Sequence, residues 1–252
     1  MILKILLLIF IIPIVNNKVI AQSVTDTSIN IPMFAFHYSF HIPAGDMAKR
    51  FGNSNSVGGD FTYKLKNNFI FGIDYSFIFG EKILNKDNYF HNIIGKSGYV
   101  IDGNGMMAEV FLYERGYNIS AIIGKQFNIW NLNPNSGPFI QLHTGFLQHY
   151  VRIENAYKTA PQVNGDYAKL YDRLTNGLSL TEFVGYRFMG NKRLWNFYAG
   201  FEFMQAFTKN RRSFNADDMA PEAFKRLDML NGFRFGWIVP LYGKTRSEFY
   251  YN

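Results

Sequence analysis

The stretch VGGDFTYKLKNNFIFGIDYSFIF, residues 57–79, decides the fold. On both sides of its polar centre, KLKNN, every second residue is mostly aromatic, while the residues between are largely glycine, serine, threonine or charged. Successive side chains of a strand point to opposite faces, so the pattern predicts a hairpin with one aromatic face and one small or polar face. An aromatic face suits lipid, and the opposite face suits a narrow polar interior. We therefore interpret the stretch as two neighbouring strands of a transmembrane barrel.

The first 21 residues have the order of a secretory signal peptide. Lys4 precedes an apolar run that ends at Val15, and Ala21 is a small residue at the expected cleavage point. The alternative, a membrane-anchoring helix, needs about 20 apolar residues, and the run is about half that length. We therefore assign residues 1–21 to a signal peptide and residues 22–252 to a single barrel domain.

Composition excludes several other classes. The chain has no cysteine, which argues against a disulfide-stapled secreted domain and against a lipoprotein. No other segment approaches an apolar twenty-mer, which argues against a helical membrane protein. The formal charge of +7 is spread over predicted loops instead of one helix or stripe, so the sequence predicts no nucleic-acid partner.

The same alternation recurs along the chain and predicts eight strands. They lie at residues 31–44, 57–65, 69–79, 116–127, 138–153, 177–189, 194–207 and 227–239. Connections after the odd-numbered strands are long and those after the even-numbered strands are short, which favours an all-β, antiparallel transmembrane barrel with long extracellular loops and short periplasmic turns. The facing of strand five, a possible extension of strand four into residues 106–115, and the role of the final EFYYN stay open.

Charged residues on the inward face are expected to meet, because an eight-stranded barrel is only wide enough for side chains. The predicted salt-bridge network of the lumen comprises Asp60, Lys64, Asp74, Arg187, Glu202 and Arg234. Glu182 is the exception, because its strand phase sends it toward lipid. We expect either a bulge or phase change near Glu182 or a partner protein that covers it.

The histidines do not predict a metal site or a catalytic centre. His37 and His41 share a strand face but lie about 13 Å apart, too far for one metal ion. His143 and His149 are likewise expected to form interior hydrogen bonds. The pair His37 and Ser39 is similar to the histidine and serine of outer-membrane lipid A deacylases, but its predicted face is inward. No catalytic residue, metal or cofactor is therefore predicted.

Cations of the last long loop are candidates for contact with lipopolysaccharide phosphates. They are Lys209, Arg211, Arg212, Lys225 and Arg226. Lys49 and Arg50 lie in the first predicted loop. The alternative is that these loops are charged only because they are solvated.

The signal peptide, the aromatic alternating strands, the NPNSG and GNKR turns and the aromatic end together resemble small outer-membrane β-barrel proteins of Bacteroidetes-type bacteria, with a plan similar to OmpX- and OmpW-like barrels. The resemblance implies an integral outer-membrane location and no assigned activity. The first hypothesis is a non-enzymatic structural or accessory subunit that docks other envelope proteins, as in secretion or barrel-assembly complexes. The alternatives are a narrow channel or small-ligand carrier, and a lipid A-modifying enzyme.

Overall fold

A computed structural model describes residues 28–95, 98–129, 133–190, 194–222 and 224–241. The predicted signal peptide, most of the GNKR turn and the EFYYN end lie outside these residues. Among the described residues, no helix is long and apolar enough to cross a membrane.

Eight antiparallel strands form a closed barrel in sequence order, with β1 also paired to β8. Their bounds are β1 Ile31–Gly45, β2 Ser54–Lys64, β3 Phe69–Gly80, β4 Val110–Gln126, β5 Gly137–Asn155, β6 Thr175–Met189, β7 Asn196–Asn210 and β8 Lys225–Pro240. One short helix, α1 Lys86–Phe90, lies between β3 and β4. The predicted fold class is confirmed.

The pairing register sets the tilt of the strands. From Met33, direct partners lead through Thr62, Gly72, Ile122, His143, Thr181, Met204 and Leu230 back to β1 at Pro43. The path returns 10 residues further along β1 (43 − 33 = 10). The offset of ten residues, each with a rise of about 3.3 Å along the strand, is accumulated over eight interstrand distances of about 4.8 Å. This ratio corresponds to a strand tilt of about 40° from the barrel axis.

The outer wall is apolar and the alternation is as predicted. Ile73 is 63% exposed, Phe201 59% and Phe36 53%, and their chain neighbours point inward. In water such a continuous apolar wall would be a severe aggregation hazard, whereas in a bilayer it is the favoured surface. The open question of β5 is answered, because Leu142 faces outward and His143 is buried in the lumen.

Connections at the two ends of the barrel differ in length. The turn end holds residues 65–68, 127–136 and 190–195, and the loop end holds residues 46–53, 81–109, 156–174 and 211–224. The predicted asymmetry is therefore present, but it depends on the last three loops. The 46–53 connection, which was predicted to be long, is no longer than the 127–136 turn.

The strand pairing decides two open points, the start of β4 and the expected bulge near Glu182. β4 begins at Val110 and pairs with β5 as far as Asn155, so residues 110–113 and 150–155 project as a two-stranded ribbon beyond the ends of β3 and β6. The expected bulge near Glu182 is wrong, because β6 pairs with β5 and β7 without a break in register. Glu182 is exposed on the outer wall.

Side chains fill the barrel in layers. An apolar floor at the turn end includes Ile31, Phe139, Phe183 and Tyr198. An apolar roof at the loop end joins lumen residues to the long loops, and it includes Met47, Phe51, Ile78, Phe90, Leu147, Val163, Tyr171 and Leu230. Buried polar and charged residues lie between and around these layers.

Candidate functional site

An ion-pair cluster occupies the lumen around Arg234. The Arg234 Nη1 donates to Asp74 Oδ2 at 3.1 Å, and Nη2 lies 2.7 Å from Glu202 Oε2. His37 Nε2 lies 2.8 Å from Asp74 Oδ2, and His41 Nδ1 lies 3.5 Å from Glu202 Oε1. One buried guanidinium thus faces two buried carboxylates from different strands, which satisfies charges that would otherwise be very costly.

The other three predicted network residues are also buried in the lumen. Asp60 accepts a hydrogen bond from the Tyr198 hydroxyl at 3.0 Å, and among the described residues no ion pair joins Asp60, Lys64 or Arg187 to a charged partner within 4.0 Å. Lys64 donates to Asn135 at 3.1 Å, and Arg187 lies 4.5 Å over the Phe139 ring. The prediction of one joined salt-bridge network is therefore wrong for Lys64 and Arg187, which lie in the floor below the cluster. Asp60 lies beside Asp74 and His37, at the edge of the cluster, without an ion pair to it.

Three potential metal ligands lie in or directly beside the ion-pair cluster around Arg234. Ligand atoms of His37, Asp60 and Asp74 lie within 4.8 Å of one another. Asp74 already faces the Arg234 guanidinium and the His37 ring, and Asp60 is held by Tyr198. We interpret the group as part of the ion-pair core, in which Arg234 supplies the positive charge.

His37 and Ser39 do not form a pair that can reach lipid. Ser39 is fully buried, and its Oγ accepts a hydrogen bond from Arg234 Nε at 3.2 Å. His37 is directed to Asp74. Nucleophilic attack on an acyl ester requires the hydroxyl to touch substrate, and this hydroxyl lies inside a filled barrel.

A second polar cluster lies nearer the loop end, and sequence reasoning missed it. Asp228 accepts hydrogen bonds from Arg50 Nη2 at 2.5 Å and from Thr208 Oγ1 at 2.5 Å, and its Oδ2 lies 3.0 Å from His149 Nε2. Arg50 belongs to the first predicted outer loop, but it is only 8% exposed because the 46–53 segment folds into the barrel mouth. The only sequence signal was the inward phase of Asp228 on β8.

Glycines make room for the larger lumen side chains. A Cβ at Gly236 would lie 2.2 Å from the Tyr198 ring, and a Cβ at Gly58 would lie 2.1 Å from the Tyr75 carbonyl oxygen and 2.7 Å from the His37 ring. Tyr198 can therefore cross the lumen to Asp60 because β8 carries no side chain at position 236.

Three of the five predicted loop cations are exposed, and the other two are partly or fully buried. Lys209, Arg211 and Lys225 are exposed, and Lys209 and Lys225 are direct register partners at the loop end of β7 and β8. Arg212 is partly buried in an ion pair with Asp172. The prediction is wrong for Arg226, because the alternation of β8 turns it inward, where it is buried and paired with Glu222.

The loop end carries two recesses. One of about 290 Å³ lies beside Arg50, Tyr89, Arg173 and Arg226, and its cations are paired with carboxylates, as Arg173 is with Asp217. Burial raises the pKa of the Asp217 carboxyl, an effect that the Arg173 guanidinium opposes. The other, of about 270 Å³, lies beside the projecting ribbon and is lined by Phe90, Tyr99, Val100, Met107 and Phe111.

Comparison with known proteins finds similar folds only. No family model matches the chain, and no curated protein matches its sequence. Neisserial surface protein A is similar at 10% identity and a TM-score of 0.47, over 82% of this chain and 96% of that one. Ail, the attachment invasion locus protein of Yersinia pestis, solved in complex with the heparin analogue sucrose octasulfate, is similar at 10% identity and 0.40, over 83% and 99%. The N-terminal β-barrel domain of Pseudomonas aeruginosa OprF is similar at 10% identity and 0.35, over 81% and 96%.

The strands, wall and interior of the chain define its class. A closed antiparallel barrel with an aromatic lipid-facing wall and a polar interior is a small integral β-barrel of the outer-membrane type. The predicted small-barrel plan is therefore confirmed at the level of fold. The Bacteroidetes origin and the signal peptide stay predictions.

Proposed function

We propose that this protein is a non-enzymatic, non-conducting barrel of the bacterial outer membrane that docks other envelope proteins as an accessory subunit. The filled interior supports this proposal. Between the floor and the roof lies the Arg234 cluster, whose side chains are nearly inaccessible to solvent. A barrel of this width filled with side chains does not offer a solute path, so a functional surface is expected outside the lumen.

An apolar patch at the loop end carries the docking proposal. This loop-end patch comprises Tyr99, Ile101, Met106, Met107 and Phe111, which are 52%, 39%, 67%, 58% and 48% exposed. Phe111 lies on the ribbon that projects past the end of β3, so the patch lies beyond the lipid-facing wall. An exposed apolar patch in an aqueous region marks an interaction site, and methionine adapts well to a protein partner.

Charge placed in the loop-end patch is expected to release the partner. The variant Met107→Lys with Phe111→Glu should lower recovery of co-purifying envelope proteins by roughly tenfold or more, because each anchor would bury an unpaired charge. Recovery is measured by gentle-detergent affinity capture of the full chain from native membranes, with quantitative mass spectrometry.

Met219→Lys is the matched control, because Met219 is 66% exposed in a different loop. Heat-dependent migration on gels reports whether each variant remains folded. Equal recovery from all three proteins would contradict docking through the loop-end patch.

Two alternative functions predict different experimental results. Discrete conductance steps in planar bilayers would support a channel or carrier, which the filled lumen disfavours. A change in the mass spectrum of lipid A that depends on this protein would support a lipid A-modifying enzyme, which the burial of Ser39 disfavours.

We also propose that the outer cations bind lipid phosphates. Lys209 and Lys225 lie directly opposite each other, and like charges in that position repel. A lipopolysaccharide phosphate between them would offset the repulsion with charge-assisted hydrogen bonds. Arg211, exposed next to Asn210 at the end of β7, adds a third cation to the same edge.

Reversal of these charges is expected to remove a lipid-specific gain in stability. Lys209→Glu with Lys225→Glu should reduce the extra unfolding free energy seen in lipopolysaccharide-containing vesicles, relative to phosphatidylcholine vesicles, by about 1 kcal/mol per lysine. Urea titration measures the difference. Lys66→Glu, at the turn end, should not change it, and an equal effect of Lys66→Glu would contradict the proposed contact.

A further inference from the structure

Glu182 is a charged residue on the lipid-facing wall. It lies on β6 between Leu180 and Val184, and its direct partners are Leu142 on β5 and Phe203 on β7. All of these outward neighbours are apolar. Among the described residues, no hydrogen bond or ion pair to the Glu182 carboxyl is found within 4.0 Å.

The register places Glu182 near the middle of the bilayer. Along β6, the outward positions run from Asn176 at the loop end to Phe188 at the turn end. Apart from Glu182, the outward residues of β6 that carry a polar group are Asn176 and Tyr186. With a rise of about 3.3 Å and a tilt of about 40°, these two residues are separated by about 25 Å along the barrel axis, the height of the apolar band. Glu182 lies about 10 Å from the level of Tyr186 and about 15 Å from that of Asn176 by the same measure.

Other outward charges of the strands are near strand ends. Lys125 and Lys209 are each one residue from the end of their strand, Lys225 begins β8, and Arg115 pairs with Phe79 at the end of β3. Arg152 and Glu154 lie on the projecting ribbon. Of the described residues, Glu182 is thus the outward charge at mid-depth, where an ionisable group is costly and marks a functional site.

Polar neighbours extend the surface around this carboxyl. Thr144 on β5 is exposed one outward position from Leu142, and Gln205 on β7 occupies the corresponding position next to Phe203. Thr144, Glu182 and Gln205 form what we call the mid-wall facet. The outward residues of β1, from Phe34 to Ile42, are in contrast all aromatic or aliphatic.

We propose that the mid-wall facet docks the membrane-spanning wall of a different protein, which presents an arginine or lysine to Glu182 at mid-depth. The inference rests on the proposed docking role and names its site within the membrane. Charge complementarity selects this occupant, because a cation would satisfy the carboxylate and the hydroxyl and amide of Thr144 and Gln205 would complete the polar contact.

A second copy of the chain does not offer the required charge. A two-fold axis through the facet would place Glu182 against Glu182, and like charges repel. A second barrel in the same orientation and depth carries its outward cations Lys125, Arg115 and Lys209 near its ends. None of these described cations lies at the level of Glu182.

Site-directed photo-crosslinking in native cells tests the proposal. A photo-reactive phenylalanine analogue replaces Val184, beside Glu182, or Phe61, on the opposite wall. We expect an adduct from position 184 with a different integral membrane protein, mapped by mass spectrometry to a segment with an arginine or lysine. We expect Glu182→Leu to reduce the adduct by roughly tenfold, a loss typical of one desolvated charge pair.

Folding is checked separately in phosphatidylcholine vesicles, where Glu182→Leu should resist urea at least as well as the unsubstituted protein because it removes a lipid-facing charge. Exchange of the two charges, Glu182→Lys with the partner's cation changed to glutamate, should restore the adduct. Adducts that are equal at positions 184 and 61, unaffected by Glu182→Leu, or formed with a second copy would overturn this inference. If one of these crosslinking outcomes is found while affinity capture still recovers a partner through the loop-end patch, the mid-wall site is wrong but the proposed docking role stands.

Discussion

Arg234→Met is expected to destabilise the barrel more than any change on its outer wall. The substitution leaves Asp74 and Glu202 as buried carboxylates without the guanidinium that lies 3.1 and 2.7 Å away. Removal of one partner from a buried ion pair typically costs about 3–5 kcal/mol, because the remaining charge stays desolvated. The measurement is urea unfolding in lipid vesicles, followed by heat-dependent gel migration and tryptophan fluorescence.

The control separates a lost charge balance from a lost side chain. Arg115→Met removes a cation of the same size that is partly exposed near the loop end, and we expect a change below about 1 kcal/mol. The triple variant Arg234→Met, Asp74→Asn, Glu202→Gln should recover a large part of the lost stability, since it leaves no unpaired carboxylate. Equal destabilisation by Arg234→Met and Arg115→Met would show that the cluster does not contribute as described.

Phe183→Ala is expected to be the next most damaging substitution. Phe183 is 1% exposed in the floor, with its ring centroid 5.2 Å from that of Phe139 and 5.8 Å from that of Tyr198. A buried phenylalanine replaced by alanine costs about 3–5 kcal/mol, through lost contacts and a cavity that the rigid strands cannot close. The same urea titration measures this loss.

Phe201→Ala is the matched control, because Phe201 is 59% exposed on the lipid-facing wall of the neighbouring strand. Lipid fills the space left by that ring, so no cavity forms and a smaller loss is expected. If the two variants lose equal stability, the aromatic floor is not a packed core.

Loop cations show where sequence reasoning failed. Arg50 and Arg226 were both placed in outer loops, facing lipopolysaccharide phosphates or water, yet Arg50 reaches Asp228 and Arg226 reaches Glu222 inside the barrel mouth. The sequence held one usable signal, since extension of the β8 alternation from Asp228 by two residues turns Arg226 inward. No such signal exists for Arg50, because an irregular segment has no period from which a direction can be derived.

The sequence by itself determined the eight strands, their antiparallel closure and, for every strand except the fifth, the face on which each residue lies. The physical reason is local, because the side chains of a strand alternate between its two faces with a period of two residues. Once the face of one residue is known, the faces of all residues of that strand follow, including the outward face of Glu182. Only the tertiary structure decided which inward charges meet, because depth in the barrel depends on the ten-residue stagger accumulated over eight pairings. That stagger brings Asp74, Glu202 and Arg234 to one level, leaves Lys64 and Arg187 in the floor, and places Glu182 at mid-depth in the wall.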